Sequence, residues 1–285
     1  MKVSAFTFIK NGQMLGYPFI QSIKSILSIV DEFVINVGDS EDNTLELIES
    51  LNNPKIRIIC STWNDQMRDR GYVYGQQKMI AQFNCTGDWA FYIEGDEVYH
   101  EDDLKKITKS MSKYLNEPNV EALVFDFKHF YGNANSTLNS PGWYRSEARI
   151  IKNSIRSYAP DGLFWLILAD NKKGRYPKAK KIDVVCYHYG WVRSEKEMNL
   201  KSSKIQKYWN GEPIGIDYSQ IDQKIIEEFI GSHPKIIEEW LPKDSGVYLA
   251  DPNYKLTHKQ KKHRIMIRLE KLLGIDMSKK HFKLI

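Results

Sequence analysis

The chain has 285 residues, a length that fits one large domain or one domain with an appended segment. Its hydrophobic content of 42% is typical of a globular protein and excludes a disordered chain. No apolar run approaches the length of a membrane span and the chain opens on a strand-like segment, so we expect neither a transmembrane helix nor a signal peptide. Three scattered cysteines without a CxxC motif favour a reducing cytoplasm.

The net charge of +5 is unevenly distributed along the chain. Residues 255–285 hold ten Lys or Arg residues and two acids, whereas the rest of the chain is close to neutral. Because the basic character is confined to this tail, we do not expect nucleic-acid binding by the whole protein. The tail mixes Ile and Leu with basic residues, which predicts an amphipathic helix that either lies on an anionic membrane or docks on the body.

The first hundred residues alternate strands and helices. We predict strands over 2–9, 33–37, 56–60 and 89–93, and helices from Pro18, from Thr44 and over 76–84. Short, wholly apolar strands separated by helices indicate parallel pairing with right-handed crossovers. The order of elements therefore predicts an open α/β sheet.

Beyond residue 100 the pattern is less regular. For the whole chain, we predict an α/β domain over 1–190 and a helical C-terminal region over 191–285, with the basic tail from about 255. In this part of the chain we predict helices over 102–115, 195–209, 223–229 and 235–240, strands over 122–127, 148–151 and 182–188, and a loop over 132–143.

Three acids follow the fourth predicted strand, in the sequence Glu94-Gly95-Asp96-Glu97. An open α/β sheet presents its ligand site at the carboxyl ends of its strands, and carboxylates there can hold a divalent cation completed by substrate phosphates. The middle glycine leaves room for a diphosphate to approach. An isolated Glu-x-Asp is more often a solvated turn, but its position after a buried strand favours the functional interpretation.

Other candidates for a nucleotide site lie earlier in the chain. Asp39 follows the second strand too early to cap the next helix, so we expect it to accept an N–H group of a nucleobase. The loop over 63–78 brings Arg68 and Lys78 close to a helix N-terminus, an arrangement that suits an anion but is equally typical of a surface loop. No Walker or GxGxxG motif is present, which disfavours classical triphosphate and dinucleotide sites.

Two later residues have side chains suited to metal binding and proton transfer. His188 follows a strand, and its neutral imidazole is an acceptable Mn²⁺ ligand beside Asp96, although a lone histidine is usually structural. Asp161 lies in a Pro-Asp-Gly turn among aromatic residues, where partial desolvation would make it a good general base. Glu97 and Glu147 are alternative bases.

The segment Asp31-Glu32-Phe33-Val34-Ile35-Asn36-Val37-Gly38-Asp39, and Gly87-Asp88-Trp89 running into residues 94–97, resemble family 2 glycosyltransferases with the GT-A fold. The resemblance covers about residues 1–190 and includes residues 143–152. It implies a Rossmann-type open mixed sheet flanked by helices. It also implies inverting, metal-dependent transfer of a sugar from a nucleoside-diphosphate donor to the hydroxyl of a glycan or lipid-linked acceptor.

The resemblance implies roles for individual residues. Asp39 matches the acid that contacts the nucleobase, and Asp96 matches the last acid of the DxD motif, which binds Mn²⁺ or Mg²⁺. Glu94 replaces the first Asp of that motif, so its role as a metal ligand is open. His188 matches a histidine that completes the metal site in some members, and Asp161 falls near the expected acceptor-side base. The residues expected to contact the donor are Phe8, Lys10, Asp39, Arg68, Lys78, Glu94 and Asp96.

The identity of the donor and the occurrence of turnover are separate questions. UDP is favoured because Asp39 suits a uracil N–H, while GDP and dTDP stay open. We expect a cytoplasmic protein, with the 255–285 tail as a candidate for peripheral contact with the inner face of the membrane. The alternative function is a non-catalytic GT-A-like module that binds a nucleotide or glycan, because Glu94 departs from the motif and several residues compete for the role of base.

Overall fold

The computed structural model describes residues 1–168, 173–209, 211–243 and 246–285. The α-helices are α1 (Phe19–Ile26), α2 (Thr44–Glu49), α3 (Tyr72–Phe83), α4 (Leu104–Tyr114), α5 (Glu195–Ile205) and α6 (His258–Leu273). The strands are β1 (Val3–Ile9), β2 (Glu32–Gly38), β3 (Ile56–Ser61), β4 (Trp89–Tyr92), β5 (Glu97–Tyr99), β6 (Ala122–Tyr131), β7 (Asn133–Leu138), β8 (Ser146–Lys152), β9 (Ser157–Tyr158), β10 (Leu166–Leu168), β11 (Gly174–Arg175), β12 (Lys178–Trp191), β13 (Ile226–Glu228) and β14 (Lys283–Leu284).

The main sheet has the strand order β13-β7-β6-β8-β4-β1-β2-β3. Neighbouring strands from β4 through β1 and β2 to β3 are parallel, whereas β8 runs antiparallel to both β4 and β6. Strand β12 pairs in parallel with β6 and antiparallel with β5. This arrangement confirms the expected open mixed α/β sheet.

Side chains along each central strand alternate between the two faces of the sheet. Both faces are therefore apolar, and helices cover each of them. In β2, Phe33 and Ile35 belong to the hydrophobic cluster that includes residues of α1, α2 and α4, whereas Val34 belongs to the cluster that includes residues of α3. Each fully buried side chain of this size stabilises the fold by about 1.5–3 kcal/mol. The two clusters therefore hold the sheet rigidly in place.

The strand order brings the carboxyl ends of β1, β2 and β4 to one edge of the sheet. Strand β12 reaches the same edge because its antiparallel register with β5 sets His188 opposite Glu97. The amide of Tyr189 also donates a hydrogen bond to the carbonyl oxygen of Asp96 at 2.8 Å. Residues far apart in sequence thus meet where the chemistry was predicted.

Three predicted elements beyond residue 130 were wrong. The predicted loop over 132–143 contains β7, which pairs with β6 after a turn at Gly132 (φ 72°) and is built largely from small polar residues. The predicted helix over 223–229 is one 3₁₀ turn followed by β13, and that over 235–240 contains only the 3₁₀ turn Lys235–Ile237. Their isoleucines pack into separate clusters, so tertiary contacts override the helical spacing.

The C-terminal region returns to the sheet. Strand β14 pairs in parallel with the start of β12, and the adjacent Phe282 is buried in the cluster that contains residues of α3. The boundary at residue 190 stays a prediction. Of the helices in the described part of the chain, none combines the length and the apolar character needed to cross a bilayer.

Candidate active site

A cavity of about 350 Å³ opens at the carboxyl ends of the central strands. This is the position at which open α/β sheets bind ligands. Its lining includes the aromatic side chains of Phe8, Tyr17, Trp63, Tyr74, Tyr92, Trp191, Tyr208 and Trp209 and the charged or titratable side chains of Lys10, Glu41, Asp65, Glu94, Asp96, His188, Lys201, Lys204 and Lys207.

The acidic turn after β4 is held by a buried arginine. The Arg149 and Glu97 side chains are both fully buried, and Arg149 Nε donates to Glu97 Oε1 at 3.0 Å and to Oε2 at 2.9 Å. Arg149 Nη2 also donates to Glu94 Oε1 at 3.1 Å. The Glu94 amide in turn donates to Glu97 Oε2 at 3.1 Å. Glu97 therefore fixes the turn from below, and it is absent from the cavity lining.

Glu94 lies at the wall of the cavity, with its side chain 28% exposed. Burial and the neighbouring Glu97 carboxylate raise the pKa of Glu94 to about 8, against the opposing effect of Arg149. A carboxyl group with this pKa can exchange a proton near neutral pH. In this structure its carboxylate contacts Arg149 and does not join Asp96 and His188 in a common cluster.

Asp96 and His188 face each other across a gap that a glycine leaves open. Asp96 Oδ1 is 3.6 Å from His188 Nε2. A Cβ atom on Gly190 would lie 2.7 Å from His188 Nε2 and 2.8 Å from Asp96 Oδ2, so a side chain there would fill the gap. Burial acts to raise the pKa of Asp96, but the Lys201 ammonium, together with the charge that His188 gains at acid pH, outweighs it and holds the value at about 2.

The hydrogen bonds of His129 determine which nitrogen of His188 carries the proton. His129 Nε2 lies 2.7 Å from the carbonyl oxygen of Tyr144, which can only accept, so this nitrogen carries a proton. Burial and the adjacent His188 lower the pKa of His129 to about 3, so it is neutral and its Nδ1 accepts from His188 Nδ1 at 3.0 Å. Burial also lowers the pKa of His188, which leaves an Nε2 lone pair directed towards Asp96.

The Asp96 carboxylate and His188 Nε2 together fit a divalent cation. An ionised carboxylate and a neutral imidazole are suitable ligands for Mn²⁺, and substrate phosphates commonly complete such a site. In the described residues, no group of three or more His, Cys, Asp or Glu side chains forms a ready cation site. Asp96 and His188 would therefore supply two ligands.

Asp39 follows β2 and lies next to the cavity, in contact with the lining residues Lys10 and Trp63. Lys10 Nζ donates to Asp39 Oδ1 at 2.6 Å, and the Trp63 amide donates to the same oxygen at 3.3 Å. Partial burial acts to raise the pKa of Asp39, but these hydrogen bonds hold it below its ordinary value. Phe8 stacks on Tyr92 with ring centroids 6.2 Å apart, and its ring also packs against that of Trp63, whose amide donates to Asp39.

Asp161 lies beside the cavity in a tight turn. Its Oδ1 accepts from the amides of Leu163 at 2.8 Å and Phe164 at 3.4 Å, and both Gly162 and Leu163 line the cavity. Lys78 is buried beneath this turn and donates to the Gly162 carbonyl oxygen at 3.1 Å. Burial and nearby Arg149 lower the pKa of Lys78 to about 7, and its contacts hold the turn from below.

Arg68 and Glu147 lie away from the other predicted residues. Arg68 is exposed, does not line the cavity, and its Nε donates to the carbonyl oxygen of Asp65 at 3.0 Å. Glu147 is fully buried and its Oε2 lies 2.6 Å from Nδ1 of His281 in the C-terminal segment. The structure thus brings Phe8, Lys10, Glu94, Asp96 and His188 together in the cavity lining, while Asp39 and Asp161 lie beside it, next to Lys10 and Leu163.

Sequence reasoning missed three residues that shape this site. Arg149 and His129 gave no signal, because a single Arg or His inside a strand is indistinguishable from a surface residue. Lys201 did give one, since Lys201, Lys204 and Lys207 recur every third residue and share a helix face. Their side chains all line the cavity.

Known relatives share parts of this chain. A glycosyltransferase of uncharacterised function from Rickettsia felis is 32% identical over 96 residues, which cover 34% of this chain and 29% of the relative. Another from Rickettsia typhi is 22% identical over 204 residues, covering 70% of this chain and 63% of the relative. The chain therefore spans less than two thirds of the length of these relatives.

Among solved structures, Staphylococcus aureus TarS is similar at 15% identity and a TM-score of 0.41, covering 72% of this chain and 40% of that chain. TarS residues 1–349 in complex with UDP give 18% identity and a TM-score of 0.36, covering 50% of this chain and 40% of that chain. These TM-scores are low, so the fold is assigned from the sheet itself. A family model described as Glycosyl transferase family 2 matches residues 18–166, more than half of the chain. The chain therefore belongs to glycosyl transferase family 2.

Proposed function

We propose that this protein is an inverting glycosyltransferase that moves a sugar from a UDP-sugar to a hydroxyl of a glycan or lipid-linked acceptor. The observation that carries the proposal is the cavity lined by Lys10, which pairs with Asp39, and by the Asp96–His188 pair. One end suits a nucleobase and the other suits a diphosphate, so a nucleoside diphosphate matches both.

The nucleobase would bind beside Asp39. A carboxylate that stays ionised can accept the N–H of uracil, and the Phe8 ring offers a flat surface for stacking. Lys10 holds the carboxylate in place through its 2.6 Å hydrogen bond. These features support UDP; dTDP would present the same imide N–H and differs by its 5-methyl group and its missing 2′-hydroxyl, whereas GDP would present the N1–H and 2-amino group of guanine.

The diphosphate would bind at the other end of the cavity. Asp96 and His188 would hold a Mn²⁺ or Mg²⁺ ion, with Glu94 as a candidate for further contact. When bound, such a cation offsets the negative charge that develops on the departing diphosphate. The buried Arg149 and Glu97 keep the acidic turn rigid, so Asp96 is oriented before the substrate arrives.

The acceptor hydroxyl would be deprotonated by Asp161. In a single displacement, the acceptor oxygen forms a bond to the anomeric carbon while the bond from that carbon to the diphosphate oxygen breaks. The proton passes to the carboxylate, and configuration inverts. The half-buried position of Asp161 beside Gly162 and Leu163 supports this choice, whereas Glu97 and Glu147 are fully buried and paired with Arg149 and His281.

Nucleotide binding can be tested by thermal shift. We expect UDP to raise the melting temperature more strongly when Mn²⁺ or Mg²⁺ is present, because a ligand that binds only the native state stabilises it in proportion to how tightly it binds. GDP, dTDP and CMP serve as competitors, and the Asp96→Ala variant should lose the metal-dependent shift. Absence of stabilisation by any nucleotide would contradict the proposal and favour the non-catalytic alternative.

A second surface favours peripheral contact with a membrane. Helix α6 docks through its inner face, where Arg264 pairs with Asp222 and Arg145 pairs with Glu270. Its outer face carries exposed Ile265, Leu269, Leu272 and Leu273, with Lys261, Lys262 and Arg268 alongside. Apolar residues flanked by basic residues suit an anionic lipid surface, which would bring the cavity near a lipid-linked acceptor.

Vesicle binding tests this surface. We expect the protein to sediment with vesicles rich in phosphatidylglycerol and to bind phosphatidylcholine vesicles weakly. Exchanging Leu269 and Leu272 for glutamine should weaken binding at least about tenfold, because each buried leucine contributes about 1.5–3 kcal/mol. Leu249→Gln, an equally conservative change at an exposed position outside α6, is the control. Equal sedimentation of both variants and the wild type would contradict the idea.

We also propose a cytoplasmic location. All three cysteines are free, with Cys60 exposed and Cys85 and Cys186 buried. Free thiols are typical of reducing compartments, which supports this placement.

A further inference from the structure

Three lysines of one helix face the acids of the strand ends. Lys201, Lys204 and Lys207 extend from α5 and the turn that follows it, and all three line the cavity. Their Nζ atoms lie 3.3 Å from Asp96 Oδ2, 3.2 Å from Glu41 Oε2 and 3.0 Å from Asp65 Oδ1, respectively. These acids follow β4, β2 and β3, three parallel strands of the sheet, so the helix lies across the edge where the donor would bind.

Helix α5 is anchored by hydrogen bonds on the face opposite its cavity-lining lysines. A capping box between Ser194 and Glu197 fixes its first turn. Asn199 exchanges two hydrogen bonds with the main chain of Ile216, at 3.1 Å and 2.7 Å, and Ser202 does the same with Ile214, at 2.9 Å and 3.0 Å. The lysines on the opposite face are therefore directed into the cavity by a supported helix.

Lys201 is the innermost of the three. Its side chain is 14% exposed, compared with 38% for Lys204 and 32% for Lys207. Its Nζ also lies 3.3 Å from the carbonyl oxygen of Gly190 and 4.5 Å from the ring centroid of Tyr17. An ammonium group has three N–H donors. Asp96 Oδ2 and the Gly190 carbonyl oxygen accept from two of them, so the third remains for a ligand.

We propose that Lys201 is a diphosphate-binding residue of the donor site and gives the protein a metal-independent component of affinity for nucleoside diphosphates. The inference rests on the proposed donor site. A diphosphate that entered beside ionised Asp96 would be repelled unless a cation stood between them. The ammonium group of Lys201 is a positive charge in direct contact with Asp96. Its third N–H can donate to a phosphate oxygen.

Isothermal titration of UDP in EDTA tests the proposal. We expect the wild type to bind UDP without metal and Lys201→Met to bind it about 10- to 100-fold more weakly, the range for loss of one charged hydrogen bond. Lys201→Arg should keep most of the affinity because it keeps the charge. Lys196→Met, the same change at an exposed position of the same helix, is the matched control and should bind like the wild type.

Two further measurements separate binding from folding and from the donor-site proposal. Uridine lacks the diphosphate, so its affinity should be equal in wild type and Lys201→Met if the cavity is intact. Titration of UDP with Mn²⁺ present reports the donor site itself. Equal UDP affinity of wild type and Lys201→Met in EDTA, or no binding by the wild type in EDTA, would overturn the role of Lys201. Absence of UDP binding with Mn²⁺ as well would overturn the donor site.

Discussion

Replacing Arg149 with methionine is expected to lower the free energy of unfolding by about 3–5 kcal/mol, the cost of leaving a buried charge without its partner. The side chains of Arg149 and Glu97 are completely buried, and Arg149 also donates to the carbonyl oxygen of Leu163 at 3.2 Å. Methionine fills a similar volume but leaves Glu97 and that carbonyl unsatisfied. Urea denaturation followed by circular dichroism measures the change.

Arg175→Met provides a control for the loss of an arginine as such. Arg175 pairs with Glu121 at 2.6 Å, but its side chain is 41% exposed, and exposed ion pairs contribute only about 0–1 kcal/mol. Combining Arg149→Met with Glu97→Gln should recover part of the lost stability, because the buried negative charge is removed. If Arg149→Met unfolded at the same urea concentration as Arg175→Met, the proposal that Arg149 supports the acidic turn would be wrong.

Adding one methyl group at Gly190 is expected to weaken Mn²⁺-dependent UDP binding by about 10- to 100-fold, the range measured when the supporting geometry of a metal site is disturbed. The new Cβ would stand under 3 Å from both His188 Nε2 and Asp96 Oδ2, closer than real contacts allow. The two side chains would have to separate. Titration of UDP in the presence of Mn²⁺ measures the effect.

The matched control for this change is Gly215→Ala, where an added Cβ meets no atom within 4 Å. Both variants should melt as folded proteins, which circular dichroism can verify. Gly190→Ala with unchanged metal-dependent affinity would show that Asp96 and His188 do not act together on the cation.

The sequence predicted the parallel part of the fold well because its signals there are local. In β2, the largely apolar run from Phe33 to Val37 is followed by Gly38 and then Asp39, so the position of that acid at the sheet edge follows from the strand alone. The same reasoning placed Asp96 after β4. These positions depend on short-range patterns and on the rule that ligands bind at strand ends.

The second half was harder to predict because its elements form through distant partners. Strand β7 is built largely from small polar residues and is stabilised by pairing with β6 and β13, which no local pattern reveals. The tautomer of His188 depends on His129 and on the carbonyl oxygen of Tyr144, each from a different strand or loop. Likewise, Arg149 finds Glu97 only once β8 has paired with β4.

The tail shows both outcomes in one segment. Its amphipathic pattern predicted a helix, and α6 is present, but whether it docks or lies on a membrane could not be decided from composition. The structure docks one face through Arg145 and Arg264 and leaves the opposite leucines exposed. Docking through one face is therefore observed, and membrane contact through the other face stays a prediction.

The most direct test of the donor site is a crystal structure with UDP and Mn²⁺, using anomalous scattering to locate the metal. The account predicts one anomalous peak in contact with the Asp96 carboxylate and His188 Nε2, with the diphosphate beside it and the uracil next to Asp39. Manganese on other residues, or UDP bound outside the cavity, would contradict the assignment.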